Sequence, residues 1–158
     1  KSLDCLEVLL AELEADEEVD LVYGNCLTTT VKNETLEQTN ATKVFDHSVA
    51  EFTKENMIKC LPGPMPMWRK ALHEKSGFFD EDDCNYADDW EMWLRAVNTG
   101  SKFKKVHQTV GLYLEGGRSQ QALNLAQREE EAKIFYKYAH LFGANFQNYK
   151  RYCDQFLI

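Results

Sequence analysis

An α/β fold is the class this sequence predicts, and three observations carry it. A leucine-rich amphipathic stretch leads straight into a short apolar run, Asp20 to Gly24, of the kind that forms a buried strand after a helix. The same order returns later, where a helical pattern from Asp88 to Asn98 precedes two strand-like runs, Phe103 to Val106 and Val110 to Leu114. The chain has 158 residues, the size of one domain and enough to bury a core.

In chain order, Leu3, Leu6, Leu9, Leu10 and Leu13 recur at helical spacing, with Ser2 and Asp4 supplying a cap and favourable dipole charge. The acidic side of that helix and the loop after it read as a solvated face rather than a metal site. Asp20 to Gly24 is the first strand, closed by its glycine. Residues 27 to 47 are rich in Thr, Asn, Gln and Lys and predict an exposed excursion, with a β-ribbon through Thr28 to Val31. Phe52 to Cys60 reads as a helix. The segment LPGPMPMWRKAL then sets Pro62, Gly63, Pro64 and Pro66 ahead of a helical segment beginning near Trp68. In the helix from Asp88, Trp90, Trp93, Leu94 and Val97 share one face, and Gly100 is a stop signal. Gln120 to Tyr138 predicts a charged amphipathic helix with Leu123, Ala126, Ile134 and Phe135 turned inward. A last helix docks through Phe146, Tyr149, Tyr152, Phe156 and Leu157.

Composition narrows the function. The net charge of −8 and the lack of a basic cluster argue against nucleic-acid binding, because a phosphate backbone is gripped mainly by Lys and Arg. Cys5, Cys26, Cys60, Cys84 and Cys153 are odd in number and widely spaced, without the paired spacing of a zinc site, so reduced thiols in a cytoplasmic setting are expected. No apolar run approaches the roughly 20 residues of a membrane span. The chain starts at Lys1 without a methionine, which reads as a fragment.

The chemistry concentrates at Asp88-Asp89-Trp90-Glu91. Asp88 is a good N-cap and Glu91 stands three residues on, so the four residues make a capping box. If Asp88 caps, Asp89 is free in the first turn, where unpaired N–H groups and the dipole favour its ionised form. A short carboxylate on a rigid helix end is well placed to act as a general base. Met65, Met67 and Trp68, in the proline-rich loop, suit either a core or a sugar face; core is preferred for the methionines and the site, slightly, for Trp68.

The order GPMPMWRKAL, GFFDE and YADDWEMWLRAVNTGSKF, followed by a strand carrying Tyr113, resembles the second half of glycosyltransferase family 2, inverting enzymes of the Rossmann-like GT-A fold. The resemblance covers roughly Ser2 to Ser119. Its most specific element combines Gly77-Phe78-Phe79-Asp80 with Asp88-Asp89-Trp90 and Leu94-Arg95.

The resemblance implies a partial GT-A fold over residues 1–119, lacking the N-terminal half, with a helical tail over residues 120–158. It implies that Asp89 is the catalytic base and Asp88 its supporting partner, in place of the family's Glu. Trp68, Met67 and Trp90 would line the substrate pocket, and Arg95 would anchor its helix by an ion pair. A divalent metal, Mg or Mn, is implied, with its main ligands in the absent half; His107 and Glu115 are the candidates here, and Asp80-Glu81-Asp82 reads as loop acid. The implied partners are a nucleotide-sugar donor and a glycan or lipid-linked acceptor, with the full-length protein cytoplasmic or peripheral to a membrane. The fragment alone is expected to be inactive, with an exposed sheet edge open to self-association. The alternatives are a non-catalytic α/β interaction module and a degenerate transferase whose acidic pair survives only as a cap.

Overall fold

A computed structural model describes residues 4–80, 82–117 and 125–157. Its centre is a three-stranded mixed sheet. Strand β1 (Leu21–Thr29) lies between β2 (Pro66–Trp68), which pairs with it antiparallel, and β3 (Phe103–Leu114), which pairs with it parallel. Helices cover both faces: α1 (Cys5–Glu14) one, and α3 (Asp88–Asn98) with α4 (Leu125–Lys137) and α5 (Asn145–Cys153) the other, while α2 (Ala71–Ser76) packs beside α3. The mixed α/β class expected from the sequence is the class observed.

Alternation along β1 builds two cores. Leu21 and Tyr23 point into the larger one, with Trp90, Trp93 and Leu94 of α3, Phe103 of β3, and Ile134, Phe135 and Phe142 from the C-terminal helices. Val22 and Cys26 point the other way, onto Cys5, Leu9 and Leu13 of α1 and Val106 and Val110 of β3. Each fully buried side chain of this size contributes roughly 1.5–3 kcal/mol.

Several expectations need correcting. The first strand runs on to Thr29, so Gly24 does not end it. Gly24 serves close packing instead: a Cβ there would meet a Val110 methyl at 2.5 Å. The two late runs form one strand, β3, whose register with β1 shifts around Asn25. No ribbon forms at Thr28 to Val31; Thr28 and Thr29 finish β1 and Val31 lies in a bend. Phe52 to Cys60 makes only a 3-10 turn, Glu55–Ile58. Trp68 ends a strand rather than opening a helix, because Pro66 to Trp68 pair with Leu21 to Tyr23 and helix α2 waits until Ala71. Short strands beside proline carry little periodicity, which hid this one.

The terminal helices also differ in detail. α1 buries Cys5, Leu9 and Leu13 and leaves Leu6 and Leu10 exposed, so its inner face is one four-residue stripe. Asp4 makes no side-chain cap, and Ser2 and Leu3 lie outside the described residues. α4 buries Gln127, Ala132, Ile134 and Phe135 and exposes Ala126, with Leu123 and the start of the predicted helix outside the described residues. The C-terminal segment docks through Phe146, Cys153 and Phe156, while Tyr149, Tyr152 and Leu157 are exposed.

The Gly77 turn is held by Arg95. Gly77 has a φ of 80°, and a side chain there would strain the backbone and stand 2.7 Å from Arg95 Nη1. Arg95 donates to the carbonyl of Ser76 and, at 2.7 Å, to that of Phe78, while pairing with Glu91 at 2.9 Å. Its anchoring role, expected from the resemblance, is therefore seen directly.

Candidate functional site

Asp89 faces a cavity of about 430 Å³. The walls come from five places: Phe45 and His47 of the excursion after β1, Cys60 and Gly63 of the proline-rich loop, Trp90 of α3, Tyr113 at the end of β3, and Gln127, Arg128 and Glu131 of α4. Ligands of open α/β sheets commonly bind beyond the carboxyl ends of parallel strands, and this cavity lies at that end of β3.

Helix α3 is not capped as its sequence suggests. Its cap position is Ala87, and neither Asp88 nor any side chain of the box closes the turn. The orphan donors just ahead of the helix are met from α4, where the Glu130 carboxylate accepts N–H bonds from Asn85, Tyr86 and Ala87 at 2.9, 2.8 and 2.8 Å. Glu91 does not reach back either. It is 1% exposed and accepts from Arg95, from Lys137 at 2.9 Å and from the Tyr138 hydroxyl at 2.6 Å. Burial works to raise its carboxyl, but the hydrogen bonds from Arg95, Tyr138 and Lys137 outweigh that and hold it below the ordinary carboxylate range.

Both aspartates are thus released from capping. Asp89 Oδ1 accepts the Trp90 N–H at 2.7 Å, and its Oδ2 lies 3.6 Å from the Cys60 thiol, which donates to it. Asp89 lines the cavity and is itself exposed to solvent. The protein around the cavity displaces water and pushes its carboxyl above the ordinary range; the Trp90 N–H works against this and Asp88 adds to it. The Trp90 N–H favours the ionised form, as expected of a helix start, and desolvation outweighs it.

The neighbours are held uncharged. Burial lowers the His47 imidazole, with Lys59 adding to the effect, and burial raises the Cys60 thiol, with Asp89 adding to it. A neutral thiol is a poor nucleophile, so the proton acceptors this wall offers are Asp89, the neutral His47 imidazole and Glu131.

The other candidates scatter. Trp90 shares the cavity, its indole N–H donating to the Met57 carbonyl at 2.8 Å. Trp68 and Met67 line a different, apolar cavity of about 280 Å³ with Leu6, Leu9 and Val110, and Trp68 donates to His73 Nε2 at 3.0 Å while packing edge-on to Trp93. The slight preference for Trp68 at the Asp89 site is therefore corrected. Met65 is core, as expected, seated over Gly111. His107 is exposed with Glu51 at 3.4 Å, and Glu115 pairs with Lys43 at 2.8 Å. Among the described residues no group of three His, Cys, Asp or Glu side chains is placed to hold a metal. Asp80 accepts the Asp83 N–H at 3.1 Å, which makes it a turn residue.

Sequence reading missed α4 as a wall. Gln127 and Arg128 both bond Glu131, at 2.8 and 2.7 Å, one turn away. The polar i, i+1, i+4 pattern within an otherwise apolar stripe was the available signal. No protein-family model and no curated protein matches this chain. Among the described residues no helix is long and apolar enough to cross a membrane.

Proposed function

We propose that this chain is the acceptor-binding half of an inverting glycosyltransferase of the GT-A type, in which Asp89 is the general base. The observation that carries the reading is a carboxylate with a raised pKa, freed from capping by Glu130, at the wall of a cavity that also offers aromatic and hydrogen-bonding surfaces. A raised pKa makes the carboxylate a stronger base.

In the proposed step, Asp89 takes the proton of an acceptor hydroxyl. The oxygen's electron pair attacks the anomeric carbon of the donor sugar from the face opposite the leaving group. The bond from that carbon to the nucleotide diphosphate breaks, its electron pair leaving with the diphosphate. The donor itself would be held by a nucleotide-binding half joined to this chain, which would also cover the apolar edge beside β2 that otherwise invites self-association. Trp90 and Tyr113 would offer ring surface to the acceptor sugar. Asp88, half-buried one residue earlier, keeps Asp89 basic by like-charge repulsion. The test is sugar transfer by the full-length transferase carrying Asp89→Asn, with folding and nucleotide binding checked in parallel. Lost transfer with both intact supports the base; unchanged turnover removes it.

A further inference from the structure

The excursion after β1, which carries no motif, builds a second cavity of about 480 Å³ beside the first. Its walls include Thr28, Thr29, Thr30, Thr39, Asn40 and Thr42. The charges there are mostly satisfied: Lys43 and Glu115 pair at 2.8 Å, and Glu34 accepts the Thr29 hydroxyl. Among the described residues, such a wall offers hydroxyl and amide groups with its one lysine paired, and no aromatic surface for an apolar ligand. A neutral polyhydroxylated ligand fits that chemistry.

The two cavities are lined by neighbouring residues of the same two segments. The excursion returns alongside β1, with Thr28 N–H donating to the Lys43 carbonyl at 2.8 Å and Phe45 N–H to the Cys26 carbonyl at 2.6 Å. Lys43 and Phe45 are therefore two residues apart on one extended segment, as Tyr113 and Glu115 are where β3 ends. Residues two apart on extended chain share a face and stand about 7 Å apart. The Phe45 and Tyr113 rings, 4.6 Å between centroids, line the first cavity, and the Lys43–Glu115 pair one row further lines the second.

We propose that the acceptor is an oligosaccharide laid across both cavities, its reactive residue beside Asp89 and its following residues passing the Phe45–Tyr113 pair into the threonine-lined cavity. This rests on the transferase reading and narrows it from any hydroxyl acceptor to an extended neutral glycan.

The test is binding to this chain, isotope-labelled, by NMR titration without a donor. The probes are neutral oligosaccharides of glucose, galactose, mannose and N-acetylglucosamine in α and β linkage, from mono- to pentasaccharide. The proposal expects at least one series whose affinity rises about tenfold from mono- to trisaccharide. Its amide shifts should appear at Gly63 and Asp89 and also at Thr28, Thr30 and Thr42. The surface substitutions Thr30→Val and Thr42→Val should each weaken the trisaccharide about fivefold, the effect of one lost hydrogen bond, and leave the monosaccharide unchanged. Affinity independent of length, shifts confined to the first cavity, or no binding by any probe would each overturn it. Transfer by Asp89→Asn is read separately. Unchanged turnover with length-dependent binding removes the base and keeps the extended acceptor; lost turnover with length-independent binding does the reverse.

Discussion

At Asp89 two effects oppose each other: the first turn of α3 stabilises a carboxylate, and the crowded cavity wall destabilises it. The wall wins, and the carboxyl is raised. A carbon-detected NMR titration of this chain should place Asp89 above the ordinary Asp value of about 3.9. An ordinary value would contradict the account. The sign for stability follows from linkage. The native state holds the proton more tightly than the unfolded state, so this residue's contribution falls as pH rises from its unfolded pKa through its raised folded one. Asp89→Asn, which keeps an acceptor for the Trp90 N–H, should therefore be no less stable than the parent at neutral pH by denaturant unfolding. In the proposed transfer reaction, the acid limb of the pH–rate profile should likewise lie above pH 4, because only the ionised form accepts a proton. Adjacent carboxylates at a predicted helix start made this residue legible in sequence. The direction of its shift was not, since the loops that bring Phe45, His47 and Cys60 to the same cavity have no periodicity.

The beginning of α3 shows how an element can be read correctly and its support wrongly. The span Asp88 to Asn98 was legible from the spacing of Trp90, Trp93, Leu94 and Val97, yet the cap comes from Glu130, 44 residues from Tyr86. Local pattern cannot reveal a cap supplied by another helix. Glu130→Ala should cost about 2 kcal/mol, since three backbone donors lose a charged acceptor, whereas Asp88→Ala should cost about 0.5 kcal/mol, the scale of a helix-dipole contact. Equal losses in chemical denaturation would restore Asp88 as the cap. Glu91 makes a second link from α3 to α4 through Lys137 and Tyr138. Glu91→Gln should destabilise the chain by about 2–3 kcal/mol at neutral pH, because Arg95 and Lys137 lose their counter-charge. Its lowered pKa gives stability that is present above the unfolded value near 4.3 and lost as pH falls through the folded value. The difference between parent and Glu91→Gln should therefore narrow below about pH 4; a gap constant with pH would show that charge is not its source.

Over the whole molecule, the C-terminal helices are part of the fold rather than an addition to it. Ile134, Phe135, Tyr138 and Phe142 sit in the same core as Trp90, Trp93 and Leu21. Removing side chains of this kind costs about 2–5 kcal/mol each, together comparable to the entire stability of a domain. A chain ending at Gly117 should thus lose cooperative thermal unfolding; a sharp transition would show that α4 and α5 are dispensable. The α/β class was legible because helix and strand alternate with clean periods in the Leu9, Leu13, Val22 and Trp93 regions. The second strand of the sheet was hidden by Pro64 and Pro66, and the cavity by its assembly from five separated segments. The central claim is that Asp89 removes a proton from a sugar acceptor. Its most direct test is the turnover of the proposed transferase carrying Asp89→Asn, at saturating donor and with nucleotide binding retained. The account predicts a loss of at least about 100-fold, the scale of a missing general base; turnover within a few-fold of the parent would contradict it.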